Sequence, residues 1–269
     1  MPGDLGDVLR YYLPIPGEDV AERREAASSR ATPVAAEHPA ALPIVLLPID
    51  DRDVVRAAFA WNLTVEMARL GASASLLAPL ETRSRSIWPE EGSGPVGAEA
   101  AFPSVGELGD LTRAALDVAV SRAADSRDGG VVVVCAPRRW LCESRDGHAL
   151  LCWVLLLSTT DTRDLLATYS LVKQLLVSSE KTRVGITIHG ARRVAEAERA
   201  FNHVASVTAK HLGRTPVSYG LLVDDLHVYR AIVARRPIGL EHPQSRAARA
   251  LRDVAGLILD DARSEIAHD

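Results

Sequence analysis

Apolar residues occur along the chain in two patterns, which are short continuous runs and longer stretches with helical spacing. The short runs, such as Pro43–Leu47 and Val131–Cys135, are typical of strands that are covered on both faces. The longer stretches, such as Val54–Leu70, repeat an apolar residue every three or four positions, which predicts helices packed on a sheet. Because strands and helices alternate from residue 43 onward, the sequence predicts an α/β fold with a doubly wound, mainly parallel sheet and helices on both faces.

The predicted central strands are Pro43–Leu47, Val131–Cys135 and Leu151–Ser158, because these runs are the most continuously apolar. Glu81–Pro103 is rich in Gly, Ser, Pro and Glu, which predicts an irregular surface loop. The remaining predicted strands are Ala72–Leu77, Arg183–Ile188 and Val217–Leu222, and the remaining predicted helices are Val105–Ala124, Thr162–Val177, Ala191–Leu212, Asp225–Ala234 and Gln244–Leu259. We divide the chain into a tail and linker (1–41), one domain (42–262) and an acidic C-terminal tail (263–269).

Composition and charge exclude some classes of function. The 269 residues carry a formal net charge of −4, which gives no reason to expect a nucleic-acid partner. The three cysteines, Cys135, Cys142 and Cys152, show no CxxC spacing, so we expect neither a disulfide framework nor a zinc site. With no recognisable signal peptide and no apolar stretch of transmembrane length, we expect a cytoplasmic protein.

The loop after the first predicted strand, Pro48–Asp53, stands where phosphate-binding folds place a glycine-rich cradle. This loop contains no glycine and has carboxylates at Asp50, Asp51 and Asp53. Three carboxylates could bind a divalent cation, but a solvated loop is the commoner meaning of such a run, so we expect no metal. Cys135, at the end of a predicted central strand, is either a reactive thiol or, more often at such a position, a small buried hydrophobe.

Four later segments combine an apolar strand or helix with a characteristic loop. They are, in chain order, LLLSTTDTRDLLATYSLVKQL (155–175), RVGITIHGAR (183–192), YGLLVDDLHVYRAIVARRPI (219–238) and HPQSRAARALRDVA (242–255). In order and spacing these segments resemble the MinD/ParA group of deviant P-loop ATPases, most closely the MinD-like regulators of flagellar number and placement. Together with Asn62-Leu63 in the first helix, the resemblance covers roughly residues 42–260, and it implies a P-loop NTPase-like fold.

The same resemblance implies a degenerate nucleotide site. Arg56 falls on the phosphate-loop lysine of the family, and Ala57 falls on the Ser/Thr that holds magnesium. Cys135 stands where a metal-linked carboxylate belongs, and His189 stands near the place of the base-reading Asn. In the loop itself, the signature lysine is replaced by Asp51 and the glycines by Asp50, Arg52 and Asp53.

These replacements predict a pseudo-ATPase with no catalytic residues and no cofactor. Side chains in place of glycine restrict the curl of backbone N–H groups around phosphate, and carboxylates there repel a triphosphate. Ala57 cannot ligate Mg²⁺. Two alternatives stay open. One is an ATP-binding switch that keeps weak nucleotide binding or hydrolysis through Arg56 and the first helix N-terminus. The other is a small-molecule-binding domain that reuses the cleft.

On this basis the resemblance implies a regulatory or scaffolding protein in the spatial organisation of flagella, the division site or partition. We expect protein partners, and we expect any homodimer to form independently of nucleotide. Arg138, Arg139 and Trp140 lie where the family has its nucleotide-sensing switch. They form either a contact patch for a partner or a Trp folded onto the protein's own sheet.

The two ends of the chain carry separate predictions. Leu9, Tyr11, Tyr12 and Leu13 belong to an apolar cluster followed by a linker of about 25 residues, which suits a docking peptide. That peptide would bury its apolar face either on a partner or on its own domain. MinD proteins end in a basic amphipathic helix that binds membranes, whereas this chain ends in LILDDARSEIAHD. Because acidic side chains are repelled by anionic lipid, we expect no direct membrane binding.

Overall fold

The computed structural model describes residues 41–50, 53–84, 88–126, 129–143, 149–179 and 181–266. They belong to the compact unit His38–Asp269. The apolar cluster with Leu9, Tyr11, Tyr12 and Leu13 lies outside the described residues, and so do Asp51 and Arg52. The interpretations given for those residues therefore stay predictions.

The described residues form one sheet of eight strands in the order β3-β4-β2-β5-β1-β6-β7-β8. Every neighbouring pair is parallel except the short β3–β4 pair, which is antiparallel. The three strands predicted to be central, β5, β1 and β6, lie side by side in the middle of the sheet, as predicted. The strands are β1 Ile44–Pro48, β2 Ser73–Leu77, β3 Gly92–Ser93, β4 Glu99–Ala101, β5 Gly130–Ala136, β6 Trp153–Ser158, β7 Arg183–Ala191 and β8 Val217–Val223.

Helices cover both faces of this sheet, which confirms the doubly wound α/β architecture. Alternate residues of β1 show the two layers, because Val45 and Leu47 join the apolar cluster on one face and Leu46 joins the cluster on the other. The first face is covered by α1, α6, α7 and α8, and the second by α2, α3, α4 and α5. The helices are α1 Val54–Arg69, α2 Leu108–Asp125, α3 Arg138–Glu143, α4 Thr162–Ser178, α5 Val194–Leu212, α6 Leu226–Ala234, α7 Ile238–Glu241 and α8 Arg246–Ile266.

The segment predicted as an irregular loop, Glu81–Pro103, contains two strands instead. Ala98, Ala100 and Phe102 are all at most 3% exposed, and the residues between them are only partly buried. This alternation is the signal of a half-buried strand, and β4 accordingly pairs in parallel with β2. The Gly- and Pro-rich surroundings concealed it in the sequence.

Two predicted boundaries also differ from the structure. Ala149–Leu151 is a 3-10 turn, so β6 begins only at Trp153. The last helix continues to Ile266, so the first residues of the predicted acidic tail, 263–266, are helical. The reason is that Ala262, at 1% exposed, extends the buried stripe of α8 by a further turn.

Candidate functional site

The polar residues at the N-terminal end of α1 lie beside the first turn of α4. Strand β1 leads into α1 and strand β6 leads into α4, and the two strands are parallel neighbours. Their carboxyl ends therefore meet at the same edge of the sheet, which is where open α/β folds bind ligands. This geometry brings together Asp53, Arg56 and Asp164, and the end of β7 adds His189.

Arg56 is the centre of this group and is only 8% exposed. Its Nη1 donates to Asp53 Oδ2 at 2.6 Å, and its Nη2 lies 2.7 Å from both carboxylate oxygens of Asp164. Asp53 also caps α1, because its Oδ1 accepts the backbone N–H of Arg56 at 2.9 Å. The single guanidinium charge is thus held between two carboxylates from different parts of the chain.

Asp164 is fixed by further hydrogen bonds. It accepts the backbone N–H of Thr159 at 2.6 Å and the hydroxyl of Ser158 at 3.3 Å, and the Thr168 hydroxyl in turn donates to Ser158 Oγ at 2.8 Å. Burial on its own raises the pKa of Asp164, but the Thr159 N–H and the Arg56 guanidinium outweigh it and hold that pKa below 3.8. Asp164 is therefore ionised at neutral pH and compensates Arg56.

His189 adds a neutral ring to the site. It is 7% exposed and meets the ring of Phe59 edge-on at 5.4 Å between centroids. Burial, and then the positive charge of Arg56, lower the pKa of His189 to about 4. Among the described residues, His189 Nε2 and Arg56 Nε are both buried without a hydrogen-bond partner. At neutral pH the imidazole is uncharged, so it adds no second cation beside Arg56.

The space that the described residues leave at this edge is small. The cavity lined by Asp50, Asp53, Ala57, Trp88 and Cys135 has a volume of about 20 Å³, which is room for about one water molecule. The side chain of Ala57 in this lining is a methyl group, which offers no metal ligand. Cys135 is 3% exposed and burial raises the pKa of its thiol, as expected of a small buried hydrophobe. The described residues contain no group of His, Cys, Asp and Glu side chains arranged to hold a metal ion.

The predicted contact patch is only partly at the surface. Trp140 is 6% exposed and belongs to the apolar cluster on the second face of the sheet. Of the two interpretations left open for Trp140, the structure therefore supports the second, because α3 folds the indole onto the protein's own core. Arg138 Nε lies 3.5 Å from Asp50 Oδ2 without hydrogen-bond geometry, and Arg139 is exposed. Of the predicted contact residues, Arg138 and Arg139 are therefore accessible to a partner, and Trp140 is not.

The sequence reasoning missed Asp164. The cap of α4 is Asp161, whose Oδ1 accepts the N–H groups of Arg163 and Asp164 at 2.9 and 3.3 Å. A carboxylate in the first turn of the helix after β6 was a usable signal, because the helices that follow two adjacent parallel strands begin at the same edge of the sheet. Using that signal needed the knowledge that β1 and β6 are neighbours.

Comparisons with known proteins agree on the fold. No protein-family model matches the sequence, and no curated protein matches it significantly. The MinD cell division protein of Aquifex aeolicus superposes with a TM-score of 0.56 at 10% identity, covering 81% of this chain and 97% of that one. MinD in the MinC:MinD complex of Aquifex aeolicus gives 0.56 at 12% identity, covering 81% and 96%.

A ParA family ATPase from Chlorobium tepidum TLS matches over a similar share of the chain, with a TM-score of 0.51 at 13% identity, covering 80% of this chain and 98% of that one. Because the matches extend over almost the whole length of each solved structure, the similarity concerns the complete domain. The chain therefore has a MinD/ParA-like fold, as the sequence resemblance predicted.

Proposed function

We propose that this chain is a MinD/ParA-like regulatory or scaffolding protein that does not hydrolyse ATP. The neighbours in fold include cell division proteins and a ParA family ATPase, which supports a role in organising the division site or in partition. The sequence resemblance to regulators of flagellar number and placement adds flagella to these processes. Fold alone does not determine function, so the proposal rests on the site.

The observation that carries the proposal is the pairing of Arg56. Both Nη atoms of its guanidinium already contact carboxylates, those of Asp53 and Asp164. A triphosphate would have to displace at least one carboxylate and then lie beside it in a partly desolvated site, where like charges repel strongly. Phosphoryl transfer depends on positioning and charge neutralisation, and neither Ala57 nor Cys135 supplies them.

Calorimetric titration with ATP and Mg²⁺ tests this proposal. We expect no binding heat, no hydrolysis and no change of oligomeric state when nucleotide is added. Arg56→Ala and Arg56→Lys serve as matched variants, and Arg230→Ala, at an exposed position of α6, is the control. Micromolar ATP binding that survives in Arg56→Lys and Arg230→Ala but is lost in Arg56→Ala would establish the ATP-binding switch instead.

We also propose that the chain acts through a protein partner. One of the structural neighbours is a MinD protein in complex with MinC, so a domain of this fold does bind another protein there. The exposed Arg139 is accessible to such a partner. Affinity capture with the full chain, compared with Arg139→Glu, tests whether α3 takes part; unchanged capture by the variant would exclude this residue.

Direct membrane binding by the C-terminal helix is not part of this proposal. The apolar residues of α8 pack on the sheet, and Tyr219 fixes the helix by donating to Asp261 Oδ2 at 2.5 Å. No helix in the described part of the chain is long and apolar enough to cross a membrane. We expect no sedimentation with anionic vesicles. Sedimentation that Leu257→Glu abolished would contradict this, since Leu257 is 46% exposed on α8. The buried residues of α8 are Ala247, Ala248, Leu251, Val254, Ala255, Ile258, Leu259 and Ala262.

A further inference from the structure

A second cavity, which shares Trp88 with the small cavity at Cys135, is much larger. Its volume is about 340 Å³. One wall is α1 with Trp61, the second is the segment 88–95, and the third is the end of α6 with the turn that follows it, including Ile232. Ligand pockets of proteins begin at about 300 Å³ and are mostly apolar with a few polar groups. We call this space the tryptophan cavity.

The wall formed by segment 88–95 is held in place. Trp88 Nε1 donates to the backbone oxygen of Thr82 at 3.0 Å, and the Trp88 ring meets Phe102 at 6.1 Å between centroids. Gly94 packs so closely on Trp61 that a Cβ at this position would lie 2.8 Å from Cη2 of the indole. This wall is therefore anchored at both ends, at Trp88 by Thr82 and Phe102 and at Gly94 by Trp61.

Unusual backbone conformations flank the cavity. Among the described residues, only Val96 and Arg235 combine a side chain with a positive φ, at 52° and 54°. Val96 directly follows Pro95 of one wall, and Arg235 belongs to the opposite wall. A left-handed conformation is unfavourable for a β-branched residue such as valine, and such strain concentrates at ligand-binding sites. Of these two residues, Arg235 lines the cavity as the left-handed residue that ends α6, and Val96 adjoins the lining residue Pro95.

The mouth of the cavity carries two guanidinium groups. Arg235 and Arg236 are exposed at its rim, and Glu90 also lines the cavity. Arg236 Nη1 contacts Glu241 at 3.2 Å, but such an exposed ion pair is weak, so a ligand anion can replace the Glu241 carboxylate there. Guanidinium groups suit carboxylate, sulfonate and phosphate oxygens because they present paired donors in one plane. The rim therefore selects an anionic group and the interior selects an apolar body.

We propose that the tryptophan cavity binds a small aromatic acid, with its rings between Trp61 and Trp88 and its acidic group at Arg235 and Arg236. An apolar cavity of about 150 Å³ holds one benzene ring, so about 340 Å³ accommodates a body of about two rings. This assignment does not rest on the proposed loss of ATPase activity, because none of the residues that carry it belongs to the Arg56 network.

The probe for the test is 8-anilino-1-naphthalenesulfonate, which combines linked aromatic rings with one sulfonate. We expect binding to the folded full chain with one probe per chain, seen as enhanced probe emission on direct excitation. N-phenyl-1-naphthylamine, which has the same rings without the sulfonate, should bind at least about tenfold more weakly, as expected for the loss of one good charged contact.

Two sets of variants localise the probe. Arg235→Asn combined with Arg236→Gln removes the rim charge, and asparagine tolerates the left-handed backbone. This double variant should weaken binding about tenfold while leaving the melting temperature unchanged. Ile232→Trp should fill the cavity and abolish binding. Val233→Trp, one residue further along and 84% exposed, is the matched control and should bind normally.

The alternative location is an apolar groove between α4 and α5, with a volume of about 250 Å³ and lined by Leu166 and Tyr169. Loss of probe binding in Leu166→Glu with normal binding in Ile232→Trp would overturn the proposal. It would also be overturned if the folded chain did not bind the probe, or if the neutral analogue bound equally well and the arginine variant had no effect. Because Arg235 and Arg236 are exposed, their double variant should fold normally. Its effect on probe binding therefore tests the proposed site even if Ile232→Trp does not fold.

Discussion

The two ends of α1 both bury polar side chains, but they use them differently. At the N-terminal end, Arg56 joins α1 to Asp164 of α4. In the second half, Asn62 Oδ1 accepts the backbone N–H of Ile238 at 2.7 Å, and Glu66 pairs with Arg69 at 2.6 Å beneath α7. Both arrangements hold α1 against another helix. We call Asp53, Arg56 and Asp164 the first clamp, and Asn62, Glu66 and Arg69 with Ile238 and Gly239 of α7 the second clamp. A buried charge on this helix is therefore not, by itself, a sign of a working site.

The difference lies in what each clamp is made of. The first consists of charged side chains from two helices at the edge where ligands bind in this fold, with the neutral His189 beside them. The second depends on close packing, because Gly239 of α7 lies directly on the Glu66 carboxylate. We therefore expect the first clamp to respond to pH and charge and the second to respond to volume.

The largest effect on the free energy of unfolding is expected for a substitution in the second clamp. In Gly239→Ala the new Cβ would lie 1.6 Å from Glu66 Oε1 and 2.5 Å from Arg69 Nη1. Glu66 is only 1% exposed, so we expect the added methyl group to break the ion pair or to shift α7. We expect a loss of roughly 3–5 kcal/mol in the free energy of unfolding, measured by denaturant titration.

Two further variants make this test specific. Gly256→Ala, in α8, meets open space and should leave stability unchanged or raise it by about 0.5–1 kcal/mol. In a Glu66→Ala background the added methyl group has room, so the cost of Gly239→Ala should fall below about 1 kcal/mol. If that cost were the same in both backgrounds, Glu66 would not be the obstacle and the packing argument would fail.

The second largest effect on the free energy of unfolding is expected for a substitution in the first clamp. Arg56→Met keeps much of the side-chain volume but leaves the carboxylates of Asp53 and Asp164 partly buried without their cation. We expect a loss of roughly 2–4 kcal/mol in the free energy of unfolding. Adding Asp164→Asn should recover part of it, because removing both partners costs less than stranding one. A double variant that is less stable than Arg56→Met alone would show that Asp164 is held mainly by Thr159.

The pH dependence should separate the two ends. The pKa of His189 is lowered to about 4, against 6.5 for an unperturbed histidine. Between these values the unfolded chain binds a proton that the folded chain does not, so stability should fall as pH drops from 6.5 to about 4 and change no further through this group below it. The difference corresponds to at most about 3 kcal/mol. Denaturant titrations across this range measure it.

His189→Gln, which does not titrate, should lose this part of the pH dependence, while Gly239→Ala should keep it. The lowered pKa of Asp164 acts in a different range. Its contribution is complete above about pH 4, the unfolded value, and is lost only as pH falls further through the folded pKa. An unchanged slope between pH 4 and 6.5 in His189→Gln would mean that another histidine is responsible.

How much of this was predictable differs between the fold and the site. Alternating strands and helices predicted the doubly wound sheet and its three central strands, because burial on both faces leaves a continuous apolar run. The pairing of Arg56 with Asp164 spans 108 positions and depends on β1 lying next to β6. Single-sequence patterns do not specify strand order, so the pattern alone could not supply that contact. Trp140 was ambiguous for a different reason. Its neighbours Arg138 and Arg139 are polar, so the sequence did not show that the Trp140 side chain is buried in the core.

The smallest effect concerns the cap of α1. Asp53→Asn keeps a side-chain oxygen for the N–H of Arg56, and Asn caps helices about as well as Asp. What it removes is the charge that faces Arg56 Nη1, so we expect a loss of about 1 kcal/mol at neutral pH. Asp161→Asn, at the exposed cap of α4, is the matched control and should cost close to nothing. Equal denaturation midpoints for both variants would mean that Asp53 acts only as a cap, and that Asp164 alone compensates the charge of Arg56.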